Sequence, residues 1–164
     1  MNAEELRARQ GPVKERYRED PASALVTMRV RGTRTGPTSF RVGSVGAGLH
    51  PAAGGDGTEA CSGDMLLEAL VACAGVTLAT VATAMGLALE EAHVEAEGDL
   101  DFRGTLGVAK EVPVGFKEIR LRYRLKTDAP EDKVSNLVRL TERYCVVLQT
   151  LRHGPDVKVE VLRD

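Results

Sequence analysis

The chain has 164 residues, 43% hydrophobic and 28% charged, a balance that suits a single globular domain with enough mass to bury a continuous core. A formal charge of -2 provides no global basic field for nucleic acid or anionic lipid, which argues against polyanion partners. Met1 to Asp20 is charged throughout and unlike a secretory signal, and no apolar run reads as long enough to span a bilayer, so the expected setting is cytoplasmic, with neither membrane nor nucleic acid as partner.

In chain order, Ala3 to Glu19 reads as two short helices split by Gly11-Pro12, anchored by Leu6, Val13 and Tyr17. Residues 1–20 form an expected N-terminal helical arm and residues 21–164 the domain proper. The arm's Arg7, Arg9, Lys14, Arg16 and Arg18 are offset by Glu4, Glu5, Glu15, Glu19 and Asp20, the pattern of a solvated face. Ala24 to Thr33 alternates as a strand, Arg34-Thr35-Gly36-Pro37 reads as a turn, and Thr38 to Gly43 returns, making a hairpin. Residues 43–63 are glycine-rich and loop-like around Gly54-Gly55-Asp56-Gly57. No Gly-Lys-Ser/Thr follows, so this is not a phosphate loop.

Ser62 suits the N-cap of a helix running to about Met85, with Asp64 in its first turn and Gly86 as terminator. Charged groups are almost absent between Glu68 and Glu90, which predicts a central, largely buried helix. From Glu91 to Phe102 the odd positions carry Glu91, His93, Glu95, Glu97, Asp99 and Asp101 while the even ones are mainly apolar. From Phe116 to Lys126 the apolar set Ile119, Leu121, Tyr123 and Leu125 faces away from Arg120, Arg122, Arg124 and Lys126. Paired antiparallel, the two strands set an acidic row against a basic row on one wet face. Pro130 opens a last long helix in which Val134, Leu137, Val138, Tyr144, Cys145, Leu148 and Leu151 recur at helical spacing. After Gly154-Pro155, Val157, Val159 and Val161 alternate as a final strand. The expected class is α+β: an antiparallel sheet with two long helices packed on one face.

Three cysteines in a chain without a secretory signal do not make a disulfide framework, and their spacings match no zinc pattern. His50, His93 and His153 lack companion ligands, so no metal is expected. A single buried cysteine is usually a small hydrophobe. Cys73 and Cys145, however, each lie on the apolar stripe of a helix, and if they meet across the core they form a dithiol. Cys73 stands eleven residues beyond Ser62, about 16 Å along a helix axis, beyond the reach of that helix's own dipole. A hundredfold gain in thiolate asks for about 2.7 kcal/mol, which a close guanidinium supplies. An arginine is therefore expected beside Cys73.

Gly54-Gly55-Asp56-Gly57, leading through Ser62 into Met65-Leu66-Leu67-Glu68-Ala69-Leu70-Val71-Ala72-Cys73, with Cys145 on the last long helix, resembles the OsmC/Ohr family across most of Ala24 to Leu162. The resemblance implies an OsmC-like fold in an intertwined homodimer, active sites at the subunit interface, and reduction of hydroperoxides, often organic ones. It makes Cys73 the peroxidatic cysteine and Cys145 the resolving one. It also assigns the activating arginine to an Arg-x-Gly turn matching Arg34-Thr35-Gly36, with Arg41 second. No cofactor is implied. The chain departs from the family in carrying Gly63 where a glutamate stands ten residues before the reactive cysteine, with Asp64 the nearest replacement and Glu68 half a turn further on. It departs again after the resolving cysteine, where it reads Val146-Val147-Leu148.

The implied activity is hydroperoxide detoxification: Cys73 is oxidised by an organic hydroperoxide to a sulfenic acid, Cys145 condenses with it, and an external dithiol reduces the disulfide. Leu66, Leu70, Val138 and Leu148 are the expected apolar approach. Cys61 has no counterpart in that scheme and is either a spare thiol or an alternative resolving partner. Two other readings stay open: a dithiol redox sensor or oxidoreductase, and a non-catalytic member that binds a small apolar ligand.

Overall fold

The computed structural model describes residues 1–163. Asn2 and Glu5 form a reciprocal capping box that starts helix α1 (Ala3–Glu19). The expected break at Gly11-Pro12 does not occur: α1 is one helix with Pro12 inside it, giving up the bond that proline cannot donate. Leu6 is its buried residue, and α1 rests on the long helix α2 (Ser62–Met85).

The hairpin forms, but it is shorter than expected. Strand β1 (Gly32–Arg34) pairs antiparallel with β2 (Phe40–Val42), and the amides of Thr35 and Gly36 donate to the Ser39 carbonyl across the turn. Residues 25–31 have no strand partner, and Leu25, Val26, Met28 and Val30 are 68–89% exposed. The region expected to be loop also holds two strands: β2 turns at Gly43, whose φ is +59°, into β3 (Val45–Gly48), which pairs in parallel with β4 (Ala60–Cys61).

α2 ends as expected at Gly86 in the left-handed conformation, but Cys61 rather than Ser62 occupies the N-cap and offers it no side-chain bond. Leu70, Ala74, Leu78 and Ala82 form a buried stripe at four-residue spacing. The rest of the helix is not largely buried. Leu66 and Val76 stay exposed, the latter at 70%. At 24 residues α2 is also long and apolar enough to cross a membrane, which corrects the expectation that no run was. Here it is the central helix, its buried stripe spent on the strands and helices around it.

Strand β5 (Glu91–Leu100) pairs antiparallel with β6 (Phe116–Lys126), setting Glu91 opposite Lys126, Glu95 opposite Arg122 and Glu97 opposite Arg120. The charged rows meet as expected: Arg122 reaches Glu97 at 2.7 Å and Arg120 reaches Asp99 at 2.5 Å. Gly98 is required where it stands, because a Cβ there would lie 2.5 Å from Cε1 of the Phe116 ring. A short helix α3 (Phe102–Thr105) follows, capped by Asp101.

The last long helix is broken. α4 (Glu131–Tyr144) stops at Cys145, which is extended at φ -72° and ψ 105°, and α5 (Val146–Arg152) begins beyond it. The expected final strand is absent, with Val157, Val159, Val161 and Leu162 78–90% exposed. The fold is α+β, with small, largely antiparallel sheets and helices around α2. One core cluster gathers Leu70, Ala74, Cys145 and Leu148; the other gathers Leu78, Ala82 and Leu137.

Candidate active site

Cys73 and Cys145 meet. Cys145 is wholly buried between Leu70, Ala74 and Leu148, and Cys73 is half-buried against the same cluster. The break between α4 and α5 equips the pair. In an unbroken helix the amides of Val146, Val147 and Leu148 would bond to the carbonyls of Glu142, Arg143 and Tyr144. Here the ladder has Cys145 N–H to Thr141 and Gln149 N–H to Cys145, with no such bond between them among the described residues. The freed amides lie near the sulfurs and act on their acidity: Val147 and Val146 lower Cys73, and Leu148 and Val147 lower Cys145. The freed Glu142 carbonyl accepts the Gln149 side-chain amide at 2.8 Å.

The two thiols separate electrostatically. Burial pushes Cys73 up, but the Val147 amide, the Cys145 thiol, the Val146 amide and the Thr77 hydroxyl outweigh it and hold it below the ordinary thiol value. The one proton of that hydroxyl goes to the Cys73 carbonyl at 2.7 Å, so it reaches the sulfur only by turning from that carbonyl. Burial pushes Cys145 up; the Leu148 and Val147 amides oppose this, and the neighbouring Cys73 adds to it. The two shifts run in opposite directions, with Cys73 the more acidic of the pair, the order that a nucleophile and its resolving partner need.

Other sequence-derived candidates lie apart from the pair. Arg34 is exposed at the end of β1 and gives its Nε to the Gly36 carbonyl at 2.9 Å, and Arg41 is exposed on β2. Among the described residues neither has an ion-pair partner, and no cation contributes to the shift of Cys73. Within one chain, amides stand where the sequence led us to expect a guanidinium. Asp64 is nine residues before Cys73, about half a turn around α2 and about 13.5 Å along it. It lines a shallow groove with Glu68, Val71 and Ala96. At Gly63, a Cβ would meet the Phe116 ring at 3.4 Å and the Cys61 sulfur at 3.6 Å. Cys61, twelve residues from Cys73 and about 18 Å away along the helix, cannot bridge to it within the chain. Of the expected apolar approach, Leu70 and Leu148 are buried in the cluster that holds the cysteines and line a cavity beside it. Exposed apolar side chains near the pair in sequence are Val76, one turn beyond Cys73, with Tyr144 and Val146 on either side of Cys145.

In the sequence Tyr123 belongs to the apolar face of β6 and carries no further signal. Its hydroxyl is buried and, among the described residues, without a hydrogen-bond partner. It lines a cavity of about 350 Å³ with Leu70, Leu148, Glu142 and Arg152. Burial, followed by the electrostatic influence of the neighbouring Cys145 and Glu142, pushes its phenol up to about 12.

With the site's geometry in place, comparison gives the family. Residues 55–160 match the model of the OsmC-like proteins. This chain belongs to the OsmC-like family. An OsmC-like protein from Mycoplasma pneumoniae is similar in structure at a TM-score of 0.64, with 16% identity over 79% of this chain and 89% of that one. An organic hydroperoxide resistance protein OsmC from Legionella pneumophila reaches 0.61, with 18% identity over 82% and 96%. The organic hydroperoxide resistance protein OhrB of Bacillus subtilis reaches 0.54, with 20% identity over 82% and 97%. Among curated proteins none matches this chain.

Proposed function

We propose that this protein is a thiol-dependent reductase of organic hydroperoxides, working through Cys73 and Cys145. The observation that carries the reading is that two free thiols, the buried Cys145 and the half-buried Cys73, pack into one core cluster. Cys73 thiolate attacks the distal oxygen of the hydroperoxide, the O–O bond breaks, and the alkoxide leaves as alcohol once protonated, with Cys73 oxidised to sulfenic acid. The Cys145 thiol attacks that sulfur, releasing water and forming the disulfide. An external dithiol then returns both cysteines to thiols and is itself oxidised to a disulfide. The exposed apolar side chains of Val76, Tyr144 and Val146 favour an organic substrate over hydrogen peroxide, and two of the similar structures carry names for organic hydroperoxide resistance.

The working unit in this reading is a homodimer. Two apolar rows without partners, residues 25–30 and 157–162, support it, because each alternates like a strand and stands exposed. The β1–β2 hairpin of a second copy would then bring Arg34 to Cys73, as the family resemblance implies. The three free thiols and the need for a dithiol reductant fit a reducing cytoplasmic setting. The test is steady-state consumption of cumene hydroperoxide with dithiothreitol as reductant. Wild type should turn over many times, Cys73→Ser should lose at least a thousandfold, and Arg34→Lys should fall well below wild type. A single stoichiometric oxidation without turnover would replace the peroxidase by a redox sensor. A native mass spectrum showing dimer supports the assembly; monomer alone at micromolar concentration rejects it.

A further inference from the structure

Helices α1, α2 and α4 wall a cavity of about 510 Å³, in the range of about 300–1,000 Å³ that accommodates a small organic ligand. Val76, Val81, Met85 and Leu140 line it, with the Tyr144 ring beside them. Thr77 and Thr80 add little polarity, because each gives its proton to its own helix, to the Cys73 and Val76 carbonyls, at 2.7 Å in both cases. From Thr77 to Met85 the cavity follows α2 for eight residues, about 12 Å of helix.

Thr77 lines this cavity and also acts on the acidity of Cys73, so one side chain borders both the cavity and the thiol. Lys14 of α1 is, among the described residues, the one charged side chain in the lining, and Gln10 stands one turn before it on the same helix face. α1 lies outside residues 55–160, so membership of the family assigns this wall no role. Apolar walls with a single cation complement an apolar body that carries one negative charge. A lysine stem lies readily along such a wall while its ammonium keeps to the edge.

We propose that this cavity binds the substrate and that Lys14 is its specificity-determining residue, selecting organic hydroperoxides that carry a carboxylate, an inference that rests on the peroxidase reading above. The carboxylate accepts from the Lys14 ammonium and the Gln10 side-chain amide. The apolar body lies along Val76, Val81 and Met85, with its peroxide group toward Thr77 and the thiol that Thr77 borders. A neutral hydroperoxide gains the apolar contacts alone and is held less tightly.

The test uses decanoate and decanol, which share the apolar body and lack a peroxide, so that binding is read without turnover. In titration calorimetry the reduced protein should bind decanoate about fivefold or more tightly than decanol, and saturating decanoate should slow alkylation of Cys73 by iodoacetamide. Lys14→Met should weaken decanoate alone and bring the two ligands within about twofold, Lys14→Arg should keep the preference, and Ala84→Trp, which fills the cavity, should lose both ligands. Equal binding of the two by wild type, a preference that survives Lys14→Met, or an alkylation rate that decanoate leaves unchanged overturns the inference. So does decanoate that splits a dimer into monomers in native mass spectrometry, because that face then belongs to the second copy. A protein that consumes no cumene hydroperoxide but binds decanoate with the Lys14-dependent preference would remove the peroxidase reading and leave the carboxylate site in place.

Discussion

The acidity of Cys73 is raised by the α5 amides, by the Cys145 thiol and by the Thr77 hydroxyl once it turns from the Cys73 carbonyl to the sulfur. Each such hydrogen bond is worth about 1 kcal/mol to a neutral acceptor and more to a charged one. Thr77→Val preserves shape and removes one donor, so alkylation of Cys73 by iodoacetamide at pH 7 should slow by about three- to tenfold. An unchanged rate would show that the amides alone set the thiolate. At Gly98 the constraint is steric. Gly98→Ala drives a methyl into the Phe116 ring and should cost about 1–3 kcal/mol in urea unfolding, recovered when Phe116→Leu is added.

At the scale of elements, the interruption between α4 and α5 matters most. Unbroken, the helix would spend the amides of Val146, Val147 and Leu148 on carbonyls; broken, it leaves them near the sulfurs. Gln149 supports the break by bonding the Glu142 carbonyl. Gln149→Ala should therefore lower stability by about 1 kcal/mol and raise the pH midpoint for Cys73 alkylation together, and a stability loss with no change in midpoint would detach Gln149 from the thiol. The β5–β6 ribbon carries the pH dependence. The Arg122 and Arg120 guanidinia hold Glu97 below the usual carboxylate range, Arg120 does the same for Asp99, and Arg103 lowers Asp101 to about 2. Groups whose folded pKa is depressed contribute stability above their unfolded value and lose it as pH falls through the folded one. The melting temperature should hold from neutral pH to about 4 and then decline toward about 2. Because these side chains lie on an exposed face, salt should blunt the decline. A melting temperature flat across that window would contradict it.

For the whole molecule, the long periodic elements were legible in the sequence and their interruptions were not. The ends of α2 near Ser62 and Gly86, and the acidic-against-basic pairing of β5 and β6, follow from extended patterns with one physical reading each. The break at Cys145 was hidden because Thr141, Cys145 and Leu148 keep helical spacing across it. β3 and β4 hold four and two residues, too few for an alternation to register. Residues 25–31 and 157–161 do alternate, but alternation announces a face to be buried and not which chain buries it. The cysteine pairing came from the family resemblance and from two separate stripes converging on one core.

The most direct measurement treats the reduced protein with one equivalent of cumene hydroperoxide and reads intact mass and peptide linkage. A loss of two hydrogens with a peptide joining Cys73 to Cys145 is the result expected if the adjacent sulfurs are a nucleophile and its resolving partner. An unchanged mass, or oxygen gained at Cys61 with Cys73 and Cys145 still reduced, would contradict it.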